Sequence, residues 1–177
     1  TSRAREIYNP FDERHVRRKW EAGALVSNQE LADDRLGALL VGIAPEEQII
    51  LIQPGEMILA HTNEFIGGRT HVTTMMKARS SMGRNNIEVC KCAGMGDVGY
   101  FNRWTMEITN NSQFHTIPLV VGRRIAQILF FDVGDRIAVS YEKDGKYQAT
   151  ADLADLRAKW TPDALLPKQW RDRECPR

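Results

Sequence analysis

The chain has 177 residues, with 24 lysines and arginines against 23 aspartates and glutamates, and its net charge is +1. This length predicts one domain with a sizeable core, and the balanced charge excludes the strong field by which many proteins attract nucleic acid or anionic membranes. No run of about 18 apolar residues is present, and residues 1–18 are too polar for a signal peptide. We therefore expect a cytoplasmic protein.

The first predicted element is a helix over residues 11–22. Val16 and Trp20 lie one turn apart, acidic residues come first and basic ones later, and Gly23 follows as a stop signal. The basic run 17–19 has no aromatic residues within it, which favours a solvated helix face over a nucleic-acid surface.

Residues 24–142 contain short β-like runs separated by turn residues at intervals of about 8–12 residues, a spacing typical of an all-β barrel or sandwich. The predicted strands are 24–26, 39–43, 48–52, 57–62, 70–76, 87–92, 103–110, 117–121, 125–131 and 136–141. A helical pattern over 149–160 and a tail rich in proline and charge follow. We therefore predict one β domain with its N-terminal helix over 1–148 and a helical or flexible tail over 149–177.

The three cysteines do not indicate a disulfide framework. Cys90 and Cys92 flank one lysine on a predicted strand, and Cys175 lies near the end of the sequence. A metal site would need further cysteines or histidines at ligand spacing, but the four histidines are scattered singly. Structural thiols are the favoured interpretation.

The octapeptide Lys77-Ala78-Arg79-Ser80-Ser81-Met82-Gly83-Arg84 joins two predicted strands and concentrates cations and hydroxyls. Backbone amides, serine hydroxyls and arginine side chains together bind phosphate well. A solvated basic turn with Ser80 or Ser81 as a helix N-cap would have the same composition. The octapeptide by itself leaves both alternatives open.

Several stretches follow, in order, the motifs of one family. They are 16–25, 33–37 (Asp-Asp-Arg-Leu-Gly), 51–56 (Leu-Ile-Gln-Pro-Gly-Glu), 79–84 (Arg-Ser-Ser-Met-Gly-Arg), 93–100 (Ala-Gly-Met-Gly-Asp-Val-Gly-Tyr), 105–110 (Thr-Met-Glu-Ile-Thr-Asn) and 119–130. Over residues 11–131 the chain resembles the dCTP deaminases, zinc-free nucleotide deaminases that share a trimeric β-fold with the dUTPases. The zinc-dependent deaminases instead carry His-x-Glu followed by Pro-Cys-x-x-Cys, and this sequence has neither element.

The resemblance implies a mainly β fold, a distorted barrel or jelly roll of the dUTPase-like type, assembled as a homotrimer with sites between subunits. It implies hydrolytic deamination of dCTP to dUTP and ammonia without zinc. Mg²⁺ would be carried by the nucleotide phosphates. No nucleic-acid or membrane partner is expected.

The resemblance also assigns residues to the chemistry. Glu107 would be the general base that activates water, a role that a partly desolvated carboxylate can perform without a metal. Ser80 would hydrogen-bond that water, Arg84 would support the developing charge, and the carbonyl of Ala93 would position the water. An isolated glutamate at such a strand position would otherwise be a solvent-facing side chain.

The remaining implied contacts are to phosphate and sugar. Arg79 and Ser81 would meet the phosphates, together with Ser80 and Arg84. Asp97 would bind the deoxyribose 3′-hydroxyl, and Tyr100 would pack where a ribose 2′-hydroxyl would clash. Lys146 and Tyr147 match the start of the family's C-terminal lid. Without the resemblance, residues 97–100 would be interpreted as a plain turn.

Three departures from the family pattern keep alternatives open. Val98 replaces the family's proline. Tyr100, three residues after Asp97, is the residue that dUTPases usually have at that position. Asp97 could therefore direct water at the α-phosphate, as in a dUTPase. A dUTPase, or a bifunctional enzyme that releases dUMP and pyrophosphate, is the second hypothesis. After Tyr147 the lid lacks its glycines and carries early acidic residues, which makes a non-catalytic nucleotide-binding relative the third.

Overall fold

The computed structural model describes residues 8–20, 25–135, 140–148 and 150–172. Within these residues nine strands form three antiparallel sheets, in the orders β1-β2-β8, β3-β7-β5 and β6-β4-β9. The strands are β1 (Val26–Ser27), β2 (Gln48–Ile52), β3 (Met57–Gly67), β4 (Val72–Ala78), β5 (Ile87–Val89), β6 (Met95–Gly96), β7 (Phe101–Asn110), β8 (Ile117–Val120) and β9 (Ala126–Asp132). The prediction of a mainly β chain is confirmed.

The helices are short. They are α1 (Glu13–Lys19), α2 (Asn28–Leu31), α3 (Ser80–Gly83), α4 (Tyr141–Asp144) and α5 (Leu153–Lys159), with a π-helical turn at Ala32–Leu36 and 3-10 turns at Pro162–Leu165 and Gln169–Arg171. In α1, the Asp12 side chain accepts a hydrogen bond from the backbone of Arg14 at 2.9 Å, and Val16 is fully buried. The helix ends at Lys19, earlier than predicted, and residues 21–24 lie outside the described residues.

Strand β7 is the central strand of the main core. Every second side chain is buried, so that Trp104, Met106 and Ile108 pack into the core while Thr105 and Glu107 lie on the half-buried face. Such alternation is the side-chain period of a strand. Because β7 pairs with β3 on one side and with β5 on the other, its register fixes which face each residue occupies.

The predicted strand at 39–43 is wrong. These residues form turns, and the buried side chain of Asn28 holds them in place. Its amide donates to the carbonyl oxygens of Leu40 and Ile43 at 3.3 and 2.8 Å, and its oxygen accepts from the Leu40 backbone at 3.0 Å. The Asn28 side chain thus satisfies backbone groups of Leu40 and Ile43 that would otherwise pair with a neighbouring strand.

The C-terminal part differs in detail from its prediction. Tyr141, predicted at the end of a strand, begins α4, while residues 136–139 lie outside the described residues. The predicted helix at 149–160 is observed over the shorter span of α5. The proposed domain boundary at 148 and the cytoplasmic location stay predictions. No helix in the described ranges is both long and apolar enough to cross a membrane.

Asn110, fully buried at the end of β7, is expected to be a major contributor to stability. Its amide donates to the carbonyls of Ile52 and His115 at 2.9 and 2.8 Å, and its oxygen accepts from Ser112 at 2.9 Å. Asn110→Ala strands these buried groups and should lower the free energy of unfolding by about 2–4 kcal/mol. Urea unfolding measures the change.

The neighbouring Asn111→Ala is the matched control, because Asn111 is exposed and its amide bonds only the partly exposed Glu88. Its cost should be about 0.5 kcal/mol or less. Equal losses in the two variants would contradict this role of Asn110 at the end of β7.

Candidate functional site

The loop that contains the two serines is anchored to the chain just before β9. The backbone of Arg79 donates to Ile125 at 2.9 Å, and its guanidinium donates to the carbonyl of Arg124 at 3.0 Å. Arg79 occupies the N-cap of α3 without a side-chain capping bond. Ser80 and Ser81 are exposed, and their hydroxyls have no hydrogen-bond partner among the described residues.

The predicted alternative in which Ser80 or Ser81 is the N-cap of a helix is wrong, because Arg79 occupies the N-cap position of α3. Neither serine hydroxyl caps the helix, so both are available to a ligand. The guanidinium of Arg84 is exposed too, and it makes no ion pair within the described part of the chain, while its backbone amide continues the helical turn from Ser80 at 2.9 Å.

Glu107 lies in the middle of β7, opposite Leu59 of β3. One carboxylate oxygen, Oε2, is buried and has no hydrogen-bond partner among the described residues. Burial raises the pKa of Glu107, because a carboxylate that has lost its water is less stable in the charged form. Glu107 is thus a desolvated carboxylate of the kind that suits a general base near neutral pH.

Cys90 faces Glu107 across the β5–β7 pair, although the sequence pattern had indicated no role for it at the site. Its backbone donates to the carbonyl of Glu107 at 3.0 Å, and its φ of 52° is a left-handed value that non-glycine residues seldom adopt. Burial, and next the charge of Glu107, raise the pKa of the buried thiol to about 12. The Cys90 thiol is therefore uncharged near neutral pH.

Strand pairing brings Ala93 to the same region. The backbone of Met76 in β4 donates to Gly94 at 2.7 Å, which places Ala93 beside Lys77 at the end of β4. The charge of Lys77 also acts on the Cys90 thiol. The loop after β4, the turn that contains Ala93, and the middle of β7 are therefore neighbours.

Asp97 and Tyr100 lie at the other end of β4. Asp97 comes one step after the pair of Thr74 with Gly96, is exposed, and acts electrostatically on Tyr141. The Tyr100 ring packs edge-on against Trp104 and Tyr141 with centroids 5.4 and 5.3 Å apart. Burial raises the pKa of the Tyr100 hydroxyl.

Lys146 and Tyr147 belong to the Asp97 end. The backbone of Tyr147 donates to the Tyr141 hydroxyl at 3.1 Å. The Lys146 ammonium forms an ion pair with Asp172 of the C-terminal segment. Burial lowers the pKa of Lys146, but the hydrogen bond to Asp172 together with the charges of Tyr147, Asp172 and Tyr141 outweighs burial and raises the pKa overall. Next in the chain, the buried Gln148 accepts from the Phe101 backbone at 2.7 Å and donates to Gly99 at 3.1 Å.

The predicted site residues therefore fall into two groups within one chain. The catalytic group is Ser80, Ser81, Arg79, Arg84, Ala93 and Glu107, and the sugar group is Asp97, Tyr100, Lys146 and Tyr147. The β4 positions opposite Ala93 and Asp97, Lys77 and Thr73, are four steps apart, which is about 13 Å along an extended strand.

A metal site is not evident in the part of the chain that the structure describes, where no three side chains of His, Cys, Asp or Glu cluster at a possible ion.

A family model described as dCTP deaminase-like matches residues 26–133, a span that contains both groups except Lys146 and Tyr147. The chain belongs to the dCTP deaminase-like family. The solved structure of native EIAV dUTPase is also similar, with 19% identity and a TM-score of 0.44 over 54% of this chain and 78% of that one.

Curated relatives of this dCTP deaminase-like chain carry the name "dCTP deaminase, dUMP-forming". One from Leptospira biflexa is 41% identical over 106 residues, 59% of this chain and 56% of the relative. One from Clostridium acetobutylicum is 33% identical over 155 residues, 80% of this chain and 82% of the relative. The chain thus spans a little over half of the Leptospira relative.

These names contradict one prediction. The expected product was dUTP, whereas the relatives are named for forming dUMP. The second hypothesis, in which deamination is joined to release of dUMP, agrees better with the family. The predicted dUTP product is therefore contradicted by the names of the relatives.

The raised pKa of Glu107 predicts a pH-dependent gain in stability for Glu107→Gln. The folded protein holds the Glu107 proton more tightly than the unfolded chain, so stability falls as pH rises through the raised pKa. Glu107→Gln removes this penalty and should be more stable than the parent near about pH 8, with the gain shrinking near about pH 4. Urea unfolding at the two pH values measures it.

Glu88→Gln is the control, because a hydrogen bond from Asn111 lowers the pKa of Glu88. This variant should be less stable than the parent at the higher pH, the opposite sign. A loss of stability for Glu107→Gln at the higher pH would show that the carboxylate is not desolvated.

Proposed function

We propose that the protein converts dCTP to dUMP, ammonia and pyrophosphate, using two water molecules. The observation that carries the proposal is the half-buried Glu107 carboxylate, with a raised pKa and an oxygen that lacks a partner among the described residues. It lies in the region that the family model matches, as does the loop after β4 with its serine and arginine side chains.

In the deamination step, Glu107 takes a proton from the water that attacks C4 of cytosine and passes it to the leaving ammonia. The Ser80 hydroxyl and the Ala93 carbonyl orient that water, and the Arg84 guanidinium stabilises the charge that develops beside it. A raised pKa favours this role, because the carboxylate is then a stronger base close to neutral pH. Cys90 stays protonated and keeps bulk water from the buried side of the carboxylate.

In the second step, Asp97 directs water at the α-phosphate and pyrophosphate leaves. Arg79 and Ser81 hold the phosphates, with further contacts from Ser80 and Arg84, and Lys146 and Tyr147 lie on the Asp97 side. Mg²⁺ carried by the triphosphate would offset its charge. Tyr100 restricts the sugar pocket to deoxyribose.

We propose further that the complete site forms between subunits of a homotrimer. The backbone positions opposite Ala93 and Asp97 lie about 13 Å apart along β4, and a neighbouring copy would bring its own sugar group to the catalytic group of this chain. Strand β9 is an edge strand of its sheet with exposed Leu129, Phe130 and Phe131. An exposed apolar edge of this kind is typical of a surface that another chain covers.

The activity is tested by incubating the protein with dCTP and Mg²⁺ and following ammonia, pyrophosphate and the nucleotide product separately. We expect equal amounts of ammonia and pyrophosphate, with dUMP as product. Glu107→Gln should slow ammonia release by at least about a hundredfold, whereas Glu88→Gln on the neighbouring strand should not. Accumulation of dUTP, or pyrophosphate release without ammonia, would contradict the proposal.

The shared site is tested by mixing two inactive variants, Glu107→Gln and Asp97→Asn, after separate purification and joint refolding. If Glu107 and Asp97 of one site come from different chains, random assembly restores about one quarter of the parental activity. If both come from one chain, every site contains a defect and the mixture stays inactive. Activity after mixing without refolding serves as the baseline.

A further inference from the structure

The C-terminal segment lines an open cavity that extends beyond Lys146 and Tyr147 of the sugar group. The cavity has a volume of about 610 Å³ and lies between α1, the start of β7 and residues 145–171. Volumes of this size are typical of small-molecule sites. Its lining residue on β7 is Asn102, five positions from Glu107, which is about 17 Å along the strand.

Five cationic side chains line the cavity: Arg17, Lys146, Lys159, Lys168 and Arg171. The first three have carboxylate partners. Lys146 pairs with Asp172, Lys159 with Asp155 at 2.7 Å, and Arg17 with Glu13 and Asp163 at 2.7 and 2.8 Å. Lys168 and Arg171 make no ion pair with any carboxylate among the described residues.

Lys168 lacks a carboxylate partner among the described residues, although its ammonium lies 5.3 Å from the centroid of the Tyr147 ring. Its side chain is half-buried, and burial, followed by the charge of Arg171, lowers its pKa. The charges of Asp163 and Glu13 offset part of this effect, while Arg17 adds to it. An anion beside Lys168 and Arg171 would stabilise both, because each would gain the partner that it lacks.

An aromatic face adjoins these two cations. Trp170 lines the cavity, is half-buried, and makes no ring contact within the described part of the chain. By contrast, the Trp160 ring is contacted by His61 at 4.5 Å and by the Arg103 guanidinium at 4.7 Å. The ring of Trp170 is thus available for stacking against a planar ligand.

We propose that this cavity binds a free mononucleotide, with its phosphate at Lys168 and Arg171 and its base against Trp170. Two neighbouring cations suit a phosphate dianion, and base–aromatic stacking adds affinity that tolerates different bases. Inorganic phosphate alone would leave most of the volume unfilled. Binding at Lys168, Arg171 and Trp170 does not require turnover of dCTP, although Lys146 and Tyr147 of the sugar group line the same cavity.

A ligand bound in the cavity would contact residues that support the sugar group. Tyr147 and Gln148 line the same cavity, and Gln148 holds Gly99 and the first residue of β7. A bound nucleotide would contact the residues that support the turn containing Asp97, which makes the site suited to regulation.

The test titrates dUMP into the ¹⁵N-labelled full-length protein and follows the indole N–H signal of Trp170 by NMR. We expect a saturable shift, with uridine and inorganic phosphate each binding at least about tenfold more weakly than dUMP. The double variant Lys168→Gln, Arg171→Gln should also weaken dUMP binding at this signal by at least about tenfold. Lys159→Gln, whose lysine lines the same cavity but is paired with Asp155, is the matched control and should stay within about twofold.

Three results would overturn the proposal: an unmoved Trp170 signal, a double variant that binds dUMP as the parent does, or phosphate that binds as tightly as dUMP. Circular dichroism checks the fold of the double variant. If that variant does not fold, exposed Arg171→Gln alone is compared with Lys159→Gln by the same criterion. None of these readouts depends on turnover of dCTP.

Discussion

The position of Glu107 in the central strand of its sheet is the constraint on which the site depends. Hydrogen-bonded ladders on both sides fix the register of β7, so Glu107 stays on the half-buried face while Met106 and Ile108 fill the core. A slip of one residue would reverse the two faces. Cys90 is held opposite by a backbone hydrogen bond to Glu107, and burial raises the pKa of its thiol, which is therefore neutral. A buried carboxylate without a hydrogen-bond partner is costly to folding, and such a cost is expected at a catalytic base.

The second organising feature is the separation of the predicted site into two groups along β4. The family match spans the catalytic group and Asp97 and Tyr100 of the sugar group, and strand pairing places Ala93 and Asp97 at opposite ends of β4. The turn that contains Asp97 is itself firmly built. Gly99 has a φ of 91°, where an added Cβ would overlap Ser140, and the buried Gln148 bonds its carbonyl. In the proposed homotrimer, the catalytic group of one chain and the sugar group of a neighbouring chain would together form one complete site.

The sequence allowed good prediction wherever local pattern determined structure. Strand β2 was predicted with its observed ends, and the alternation around Met106 and Ile108 gave the faces of β7 correctly. Long-range contacts were beyond prediction. Residues 39–43 form turns instead of the predicted strand because their backbone is hydrogen-bonded to the Asn28 side chain. The backbone pairing of Cys90 with Glu107 depends on strand register. Motif spacing named the candidate site residues, but it could not show that they form two separated groups or that Lys146 pairs with Asp172.

The central claim is that water attacks cytosine at C4 under the control of Glu107 and that a second water releases dUMP. Turnover of dCTP in H₂¹⁸O, followed by mass spectrometry of the nucleotide product, tests it most directly. The account predicts dUMP that carries one ¹⁸O on the base and one on the phosphate. Product without label on the base would contradict deamination by water, and labelled dUTP as the final product would contradict the second step.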